Sequence, residues 1–290
     1  MLKILLTGIT GQLGKELKNV LCKEWDLFPV SRKEMDLSDE SVIRRIIRDK
    51  KPDLIINPAA YTEVDLAETE KELAFAINEK APRIIAEEAK ALNIPLIHFS
   101  TDFVFDGKKS TPYLETDTPS PINVYGLSKL EGEKAIQEVD GDYLIFRTAW
   151  VYSRQGTNFR NTIRRLAKER PELNIINDQV GTPTTTTYIS LVLKKVIELL
   201  FREKKITFQE CKGIYHLTCG GTCSWYDFAE VIIKDLFQDE EGHCTLNPIS
   251  TKDYTSAAIR PQYSVLNNQK LTQVFGLEQR EWHDCFQEMG

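Results

Sequence analysis

The chain has 290 residues, with 37 Lys and Arg against 43 Asp and Glu, which gives a formal net charge of -6. A chain of this length can bury the core of one large domain or of a domain with a smaller lobe. The acidic balance is opposite to the basic surface of a nucleic-acid-binding protein, so no nucleic-acid partner is expected. No stretch approaches the roughly 20 apolar residues that span a bilayer, so no membrane partner is expected.

The six cysteines are expected to be reduced thiols, because they form no Cys-x-x-Cys pair and no histidine pair follows them at zinc-finger spacing. They are Cys22, Cys211, Cys219, Cys223, Cys244 and Cys285. We predict no metal site. The first apolar run, residues 1–6, is too short for a signal sequence. We therefore expect a cytoplasmic protein.

Short apolar runs alternate with helix-length amphipathic segments through the first half of the chain. We predict strands at residues 3–7, 27–30, 54–57, 96–99 and 143–147. We predict helices at residues 13–22, 39–50, 67–92 and 125–138. Repeated strand-helix units build parallel sheets. The predicted fold class is therefore α/β, with a Rossmann-like doubly wound parallel sheet.

A glycine-rich turn, Gly8-Ile9-Thr10-Gly11-Gln12-Leu13-Gly14, joins the first predicted strand to the first predicted helix. Glycines permit a tight turn and a close approach of the backbone to a pyrophosphate, while the helix amino terminus offers unpaired N–H groups. The flanking strand and helix favour a dinucleotide site over an ordinary glycine turn. The predicted contacts from this turn are Gly8, Gly11, Gln12, Leu13 and Gly14.

The second predicted strand is followed by Ser31-Arg32-Lys33. A carboxylate about 20 residues after the glycine turn would hold the adenosine ribose of NAD. Arginine at this place instead favours a 2′-phosphate, so we predict NADPH, with Arg32 and Ser31 reading the phosphate. A solvated basic turn is the alternative for these residues, and NADH is the alternative cofactor.

A tyrosine and a lysine lie four residues apart in Asn123-Val124-Tyr125-Gly126-Leu127-Ser128-Lys129. On a helix they share one face, so the Lys129 ammonium would favour the ionised form of the Tyr125 phenol. Ser100-Thr101-Asp102 directly follows the apolar run 95–99, and Thr101 and Asp102 would face the crevice at the carboxyl ends of the strands. Three segments thus converge on one site, which predicts hydride transfer.

Two histidines are expected to be core residues rather than catalytic bases: His98, inside a predicted buried strand, and His216.

After Trp150 the alternation of apolar runs and amphipathic segments loosens. We expect residues 1–150 to form the dinucleotide-binding domain and residues 151–290 to form mainly a smaller C-terminal substrate-binding lobe. Within residues 184–201, the predicted helix at 188–201 would return to the first domain. The lobe would contain mainly the segments at 157–168, 173–176, 213–217 and 224–236. The loop 106–121 is either a lid or an edge cover.

Six segments, taken in order, resemble the extended short-chain dehydrogenase/reductase family and, within it, the dTDP-4-dehydrorhamnose reductases. They are residues 8–14, 57–65, 100–105, 121–126, 146–152 and 176–184, so the match runs nearly end to end. The resemblance implies NAD(P)H-dependent reduction of the C4 keto group of dTDP-4-dehydro-L-rhamnose to dTDP-L-rhamnose. The partner would be a small-molecule nucleotide sugar, and assembly as a homodimer is left open.

The resemblance also implies residue roles. Tyr125 would donate the proton, Lys129 would lower the pKa of Tyr125 and bind the nicotinamide ribose, and Thr101 would hydrogen-bond the reacting oxygen. The implied cofactor contacts, besides the glycine turn, are Asp36, Leu37, Ala59, Ala60, Tyr61, Thr62, Tyr125 and Lys129. The implied substrate contacts are Val64, Thr101, Asp102, Phe103, Trp150 and Arg260, with Trp150 offering an indole face to the deoxysugar and Arg260 pairing with the diphosphate.

Two alternatives stay open. One is a nucleotide-sugar epimerase or dehydratase of the same extended family, which would retain oxidised NAD through its cycle; Arg32 argues against it. The other is a non-catalytic regulatory subunit that binds the dinucleotide structurally, since fold alone does not define function. The joint presence of Thr101, Tyr125 and Lys129 favours an enzyme.

Overall fold

The computed structural model describes residues 1–238 and 244–289. The strands in chain order are β1 (Lys3–Leu6), β2 (Asp26–Pro29), β3 (Leu54–Asn57), β4 (Leu96–Thr101), β5 (Tyr143–Thr148), β6 (Val151–Tyr152), β7 (Glu172–Ile176), β8 (Val180–Gly181), β9 (Thr184–Thr185), β10 (Gly213–His216), β11 (Cys223–Ser224) and β12 (Thr245–Ile249). The α-helices are α1 (Gln12–Leu21), α2 (Glu40–Lys50), α3 (Val64–Ala67), α4 (Lys71–Phe75), α5 (Ala81–Ala91), α6 (Val124–Val139), α7 (Phe159–Glu169), α8 (Thr186–Ile197), α9 (Phe208–Cys211), α10 (Trp225–Leu236), α11 (Gln269–Phe275) and α12 (Trp282–Gln287).

Six strands form one parallel sheet in the order β10-β5-β4-β3-β1-β2. Alternate residues of each strand point to opposite faces, so Leu5 and Ile55 pack with α2 and α5 while Ile4 and Ile56 pack with α1 and α8. Both faces of the sheet are therefore covered by helices, as in doubly wound folds. The predicted fold class is confirmed.

The predicted helix over residues 67–92 is confirmed for residues 71–91, which are helical without a break, and is wrong for residues 68–70, where α3 has ended and α4 has not begun. The chain forms α3, α4, a π-helical turn at Ala76–Lys80 and then α5. Pro82 stands in the first turn of α5, where its missing N–H is tolerated, and the π turn directly precedes it. The π turn places Asn78, whose amide accepts from Tyr61 N at 2.8 Å and donates to Tyr61 O at 3.0 Å. This contact ties the segment after β3 to the helical layer.

The expectation that residues 213–217 belong mainly to the lobe is wrong for β10. That strand pairs in parallel with β5 and forms an edge of the central sheet. Tyr215 packs against Phe146 of β5, with 6.1 Å between ring centroids, so the strand completes the apolar layer. Helix α8 packs against α1 on the same side of the sheet.

Smaller strand pairs follow the first five sheet strands. They are β6 with β9, β7 with β12 and β8 with β11, and α10 packs against α7 beside β7. The loop 106–121 lies against residues 265–267, because Tyr113 N donates to Val265 O and Asn267 N donates to Tyr113 O, both at 2.8 Å. Tyr113 also stacks on Phe105. These contacts favour the edge cover over the lid. Within the described residues, no helix has both the length and the apolarity needed to cross a membrane.

Candidate active site

A cavity of about 780 Å³ opens at the carboxyl ends of β1, β3, β4 and β5. Its wall is formed by the residues that follow those strands, which is where open parallel sheets bind ligands. The volume falls within the range of small-molecule and cofactor sites. Most predicted site residues line it: Gly8, Gly11, Gln12, Leu13, Gly14, Arg32, Asp36, Leu37, Ala59, Ala60, Tyr61, Thr62, Val64, Thr101, Asp102, Phe103, Tyr125, Lys129, Trp150 and Arg260.

The glycine turn forms one end of this cavity. Gly8 has φ of 62°, a left-handed conformation that glycine adopts without strain, and its carbonyl accepts from Gly11 N at 2.9 Å. A Cβ on Gly14 would lie 2.1 Å from Gly8 O, so only glycine lets α1 come this close to the turn. The amino terminus of α1 thus lies beside the backbone of Gly8 and Gly11, which carry no side chains. These features fit the pyrophosphate of a dinucleotide.

The residues after β2 form the outer part of the same end. The Arg32 guanidinium is 70% exposed, lies 3.8 Å from the Asp36 carboxylate and lines the cavity. Ser31 is directed elsewhere, because both its backbone N and its Oγ donate to the Glu34 carboxylate at 2.8 Å. Ser31 does not line the cavity, so its predicted role in reading a phosphate is not supported, whereas the Arg32 side chain does line it.

Helix α6 carries the tyrosine and the lysine. Asn123 caps it, since its side chain accepts from Gly126 N at 2.7 Å, and Tyr125 therefore stands in the first turn. A Cβ on Gly126 would lie 2.1 Å from Phe103 O, so this glycine lets the helix reach the end of β4. The Tyr125 ring meets Phe103 edge-on at 5.7 Å between centroids. The two predicted catalytic segments are thus held together by backbone packing.

Thr101 is the last residue of β4 and is buried. Its hydroxyl donates to Asp102 Oδ1 at 3.0 Å and accepts from Phe103 N at 3.2 Å. The Thr101 and Tyr125 side chains line the same cavity, and we call them the hydroxyl cluster. Burial raises the pKa of Asp102 to about 6, against the hydrogen bond from Thr101 that lowers it. Asp102 is therefore a buried carboxyl beside the hydroxyl cluster.

The expected lowering of the Tyr125 pKa by Lys129 is wrong for this arrangement. Burial raises the pKa of Tyr125 to about 12; the neighbouring Thr101 hydroxyl opposes this rise, and the charge of Asp102 adds to it. Lys129 is buried, and its Nζ donates to Phe99 O at 2.6 Å and lies 3.3 Å from His98 Nε2. The amine thus lies under the strand end, and burial lowers its pKa to about 8. Because the pKa of Tyr125 is about 12, its phenol stays protonated at neutral pH.

Trp150 is placed differently from the prediction. One face of its indole stacks on Trp225, with 3.4 Å between centroids and 4° between planes, so that face is not open to a sugar. A Cβ on Gly181 would lie 2.3 Å from the same indole, so the chain also presses on it there. The residue has φ of 46°, an uncommon left-handed conformation for tryptophan. Only the remaining exposed part of the indole can contact a substrate.

Arg260 is held by a carboxylate. Its Nη2 donates to Asp65 Oδ2 at 2.7 Å and its Nη1 donates to Asp65 Oδ1 at 3.2 Å. Ala258 N also donates to Asp65 Oδ1 at 2.9 Å, which fixes this segment against α3 at the cavity wall. The guanidinium is positioned by Asp65 and lines the cavity, where its remaining donors are available to an anion.

A family model described as "RmlD substrate binding domain" matches residues 2–289. The chain belongs to the RmlD substrate binding domain family. A dTDP-4-dehydrorhamnose reductase of Burkholderia thailandensis is 41% identical over 286 residues, which are 97% of this chain and 95% of that protein. The Escherichia coli K12 protein of the same name is 40% identical over 97% of this chain and 94% of its own length.

A crystal structure of dTDP-4-dehydrorhamnose reductase from Bacillus anthracis in complex with NADP superposes on the RmlD-family chain with a TM-score of 0.90. The two are 34% identical, and the superposition covers 100% of this chain and 99% of that one. The predicted resemblance is confirmed over nearly the whole length.

In the described residues of this RmlD-family chain, no three His, Cys, Asp or Glu side chains are grouped to hold a metal ion.

Sequence reasoning missed residues that line the cavity of this RmlD-family chain. Two of them are Gln179 and Trp225, which both line the cavity. Trp225 Nε1 donates a hydrogen bond to Gln179 Oε1 at 3.2 Å. Gln179 lies in a segment that carries the family resemblance, which was a usable signal. Trp225 follows a helix cap in an otherwise ordinary amphipathic helix, and no local pattern marks it.

Gly181→Ala is expected to weaken nucleotide-sugar binding in this RmlD-family chain, because its Cβ would displace the Trp150 indole. We expect KM for the sugar to rise about tenfold, with kcat changed less, since the reacting groups stay in place. Steady-state kinetics and thermal unfolding check this. Gly141→Ala is the control: like Gly181 it does not have a positive φ, and its Cβ would meet Lys90, at 3.4 Å, far from the cavity. An unchanged KM in Gly181→Ala contradicts the placement of Trp150.

Proposed function

We propose that this chain is an NADPH-dependent reductase that converts the C4 keto group of dTDP-4-dehydro-L-rhamnose to the alcohol of dTDP-L-rhamnose. The observation that carries the proposal is the hydroxyl cluster of Thr101 and Tyr125, which lines the same cavity as the glycine turn. Two relatives similar over nearly the whole chain carry the name of this reductase. The cytoplasm, where NADPH and nucleotide sugars are available, is the proposed location.

The reaction needs a hydride at the carbonyl carbon and a proton at its oxygen. NADPH, when bound, supplies the hydride and with it both electrons. Tyr125 supplies the proton: its raised pKa of about 12 keeps the phenol protonated until charge develops on the substrate oxygen. The Thr101 hydroxyl lies on the same cavity wall and stabilises the developing alkoxide by turning its proton from Asp102 Oδ1 to the substrate oxygen.

We assign Lys129 to the cofactor side of the reaction centre. It follows Tyr125 by one helical turn and lines the same cavity, so it can reach a ribose placed between the glycine turn and the phenol. We assign Arg260 to the diphosphate of the nucleotide sugar, because Asp65 holds the guanidinium at the wall with donors to spare. Trp150 and Phe103 supply apolar contacts for the deoxysugar.

The test is NADPH consumption by purified protein in the presence of dTDP-4-dehydro-L-rhamnose, with NMR identification of the product. The proposal requires one NADPH oxidised for each dTDP-L-rhamnose formed. Conversion of the sugar without net NADPH oxidation supports the epimerase or dehydratase instead. Tight dinucleotide binding with no conversion of the sugar supports the regulatory subunit.

Arg32→Ala is expected to raise KM for NADPH about tenfold and to leave KM for NADH nearly unchanged. The guanidinium is the cation placed beside the adenosine end of the cavity, and its loss removes a charge-assisted contact to the 2′-phosphate. Lys33→Ala is the matched control, since Lys33 is the neighbouring exposed cation and does not line the cavity. Equal changes for both cofactors in Arg32→Ala contradict this assignment.

A further inference from the structure

Three aromatic rings pack together at the cavity wall, and Trp225 contacts both of the others. Its indole lies parallel to that of Trp150, with 3.4 Å between centroids and 4° between planes. Phe159 of α7 packs against Trp225 as well, with 4.4 Å between centroids. Trp150 and Trp225 line the cavity, whereas Phe159 does not. Trp225 therefore links the cavity-lining Trp150 to the apolar packing of α7.

The edge of the Trp225 indole is also fixed. Its Nε1 donates to Gln179 Oε1, and Gln179 Nε2 donates in turn to Thr251 Oγ1, both at 3.2 Å. The Thr251 hydroxyl donates to Asp178 Oδ1 at 2.5 Å. Gln179 is buried, so its amide has little freedom to turn away from the indole. Stacking holds the ring of Trp225 and this chain of hydrogen bonds holds its edge.

Trp150 needs such support, because its backbone is strained. Its φ is 46°, in the left-handed region that side chains other than glycine, asparagine and aspartate rarely adopt. Its carbonyl accepts from Thr184 N at 3.2 Å, which fixes the backbone but not the side chain. Strained residues persist only where the surrounding structure holds them, and they are common at ligand clamps. The parallel contact with Trp225 is the contact that determines the plane of the Trp150 indole.

We propose that Trp225 is a positioning residue for the sugar: it holds the Trp150 indole in the orientation in which its exposed part contacts the deoxysugar. The proposal rests on the proposed function, because it takes the sugar of the nucleotide sugar to lie against Trp150. The N–H of Trp225 is already donated to Gln179, so Trp225 acts through Trp150 rather than on the reacting atoms. An indole that is held before the sugar arrives loses less conformational freedom when the sugar binds.

The test compares two ligands, dTDP-L-rhamnose and dTDP, which differ only in the sugar. In Trp225→Leu we expect the Kd of dTDP-L-rhamnose, measured by calorimetry with NADP⁺ present, to rise by about fivefold to tenfold, a factor within the contribution of an aromatic pair. The Kd of dTDP should stay within about twofold of wild type, because Arg260 is untouched. In turnover, KM for the keto sugar should rise by the same factor, with kcat changed less.

Circular dichroism reports the stack itself. Two parallel indoles in contact couple their electronic transitions, so the wild-type spectrum should contain a pair of bands of opposite sign that is lost in Trp225→Leu and in Trp150→Phe. Trp282→Phe is the control, since Trp282 is a buried tryptophan that packs edge-on against Phe228 and does not line the cavity. It should keep the paired bands and both Kd values. If Trp225→Leu does not fold, Trp225→Phe, which keeps a ring, gives the same comparison with a smaller rise.

A double variant tests whether Trp225 acts through Trp150. In a Trp150→Phe background the indole to be positioned is absent, so adding Trp225→Leu should change the Kd of dTDP-L-rhamnose by less than about twofold. Full additivity of the two substitutions overturns the proposal, because Trp225 then acts independently of Trp150.

The remaining outcomes separate this inference from the proposed function. An unchanged Kd of dTDP-L-rhamnose in Trp225→Leu overturns the inference. An equal loss for dTDP and dTDP-L-rhamnose overturns it too, because Trp225 then supports the fold or the nucleotide rather than the sugar. If wild type binds dTDP-L-rhamnose but does not reduce the keto sugar, the proposed function fails, while the Kd values still decide the role of Trp225.

Discussion

Tyr125→Phe is expected to lower kcat for reduction of the keto sugar by about 10²-fold to 10⁴-fold, the usual contribution of a positioned general acid. The substitution removes the proton donor and keeps the ring that packs edge-on against Phe103. Affinity for NADPH should change little, because the glycine turn and Arg32 are untouched. Single-turnover kinetics and NADPH titration separate the two effects.

Tyr113→Phe is the matched control for this experiment. It removes a phenol that donates to Asp106 Oδ1 at 3.0 Å and stacks on Phe105, in a loop that packs against residues 265–267. We expect its kcat to stay within about threefold of wild type, since the change is remote from the hydroxyl cluster. A Tyr125→Phe variant that is folded and as active as Tyr113→Phe would show that another group donates the proton.

Local patterns in the sequence were sufficient for the parts of the fold that depend on neighbours along the chain. The apolar runs of β1, β3, β4 and β5 became central strands because they are buried on both faces, whereas β2 lies at the sheet edge and is only partly buried. The glycine turn could be predicted because residue 14 lies against the carbonyl of Gly8, where only glycine fits. Asp39 begins α2 as predicted, since its side chain accepts from Val42 N. Short-range chemistry determines each of these features.

Features that depend on residues far apart in the chain could not be predicted from local sequence patterns. The position of β10 is set by pairing with β5, some 70 residues earlier, and its short run does not reveal that partner. Helical spacing correctly places Lys129 on the same side of α6 as Tyr125 but does not show that its Nζ bonds to Phe99 O. Trp225 likewise reaches Trp150 only through the folding of α10 against the rest of the lobe. Periodicity identifies a face and leaves the partner undetermined.

The Arg147–Glu133 pair lies directly behind the reaction centre and is closed to solvent. Arg147 Nε donates to Glu133 Oε1 at 2.9 Å and Nη2 donates to Oε2 at 2.7 Å, with the two side chains 2% and 1% exposed. The guanidinium also lies over the Phe105 ring, 5.1 Å from its centroid. The pair joins α6 to β5, so it supports the helix that carries Tyr125 and Lys129.

Glu133→Ala is expected to lower the free energy of unfolding by about 3–5 kcal/mol, because it leaves the Arg147 guanidinium buried without its carboxylate. Denaturant unfolding measures the loss, and Glu169→Ala is the control, since it breaks the Arg165–Glu169 pair, whose side chains are 60% and 52% exposed, and should cost less than about 1 kcal/mol. In a double variant, Glu133→Met with Arg147→Met, both charges are gone and much of the stability should return. If Glu133→Ala is as mild as Glu169→Ala, the guanidinium has found water or another anion, and the support of α6 by β5 must come from apolar packing instead.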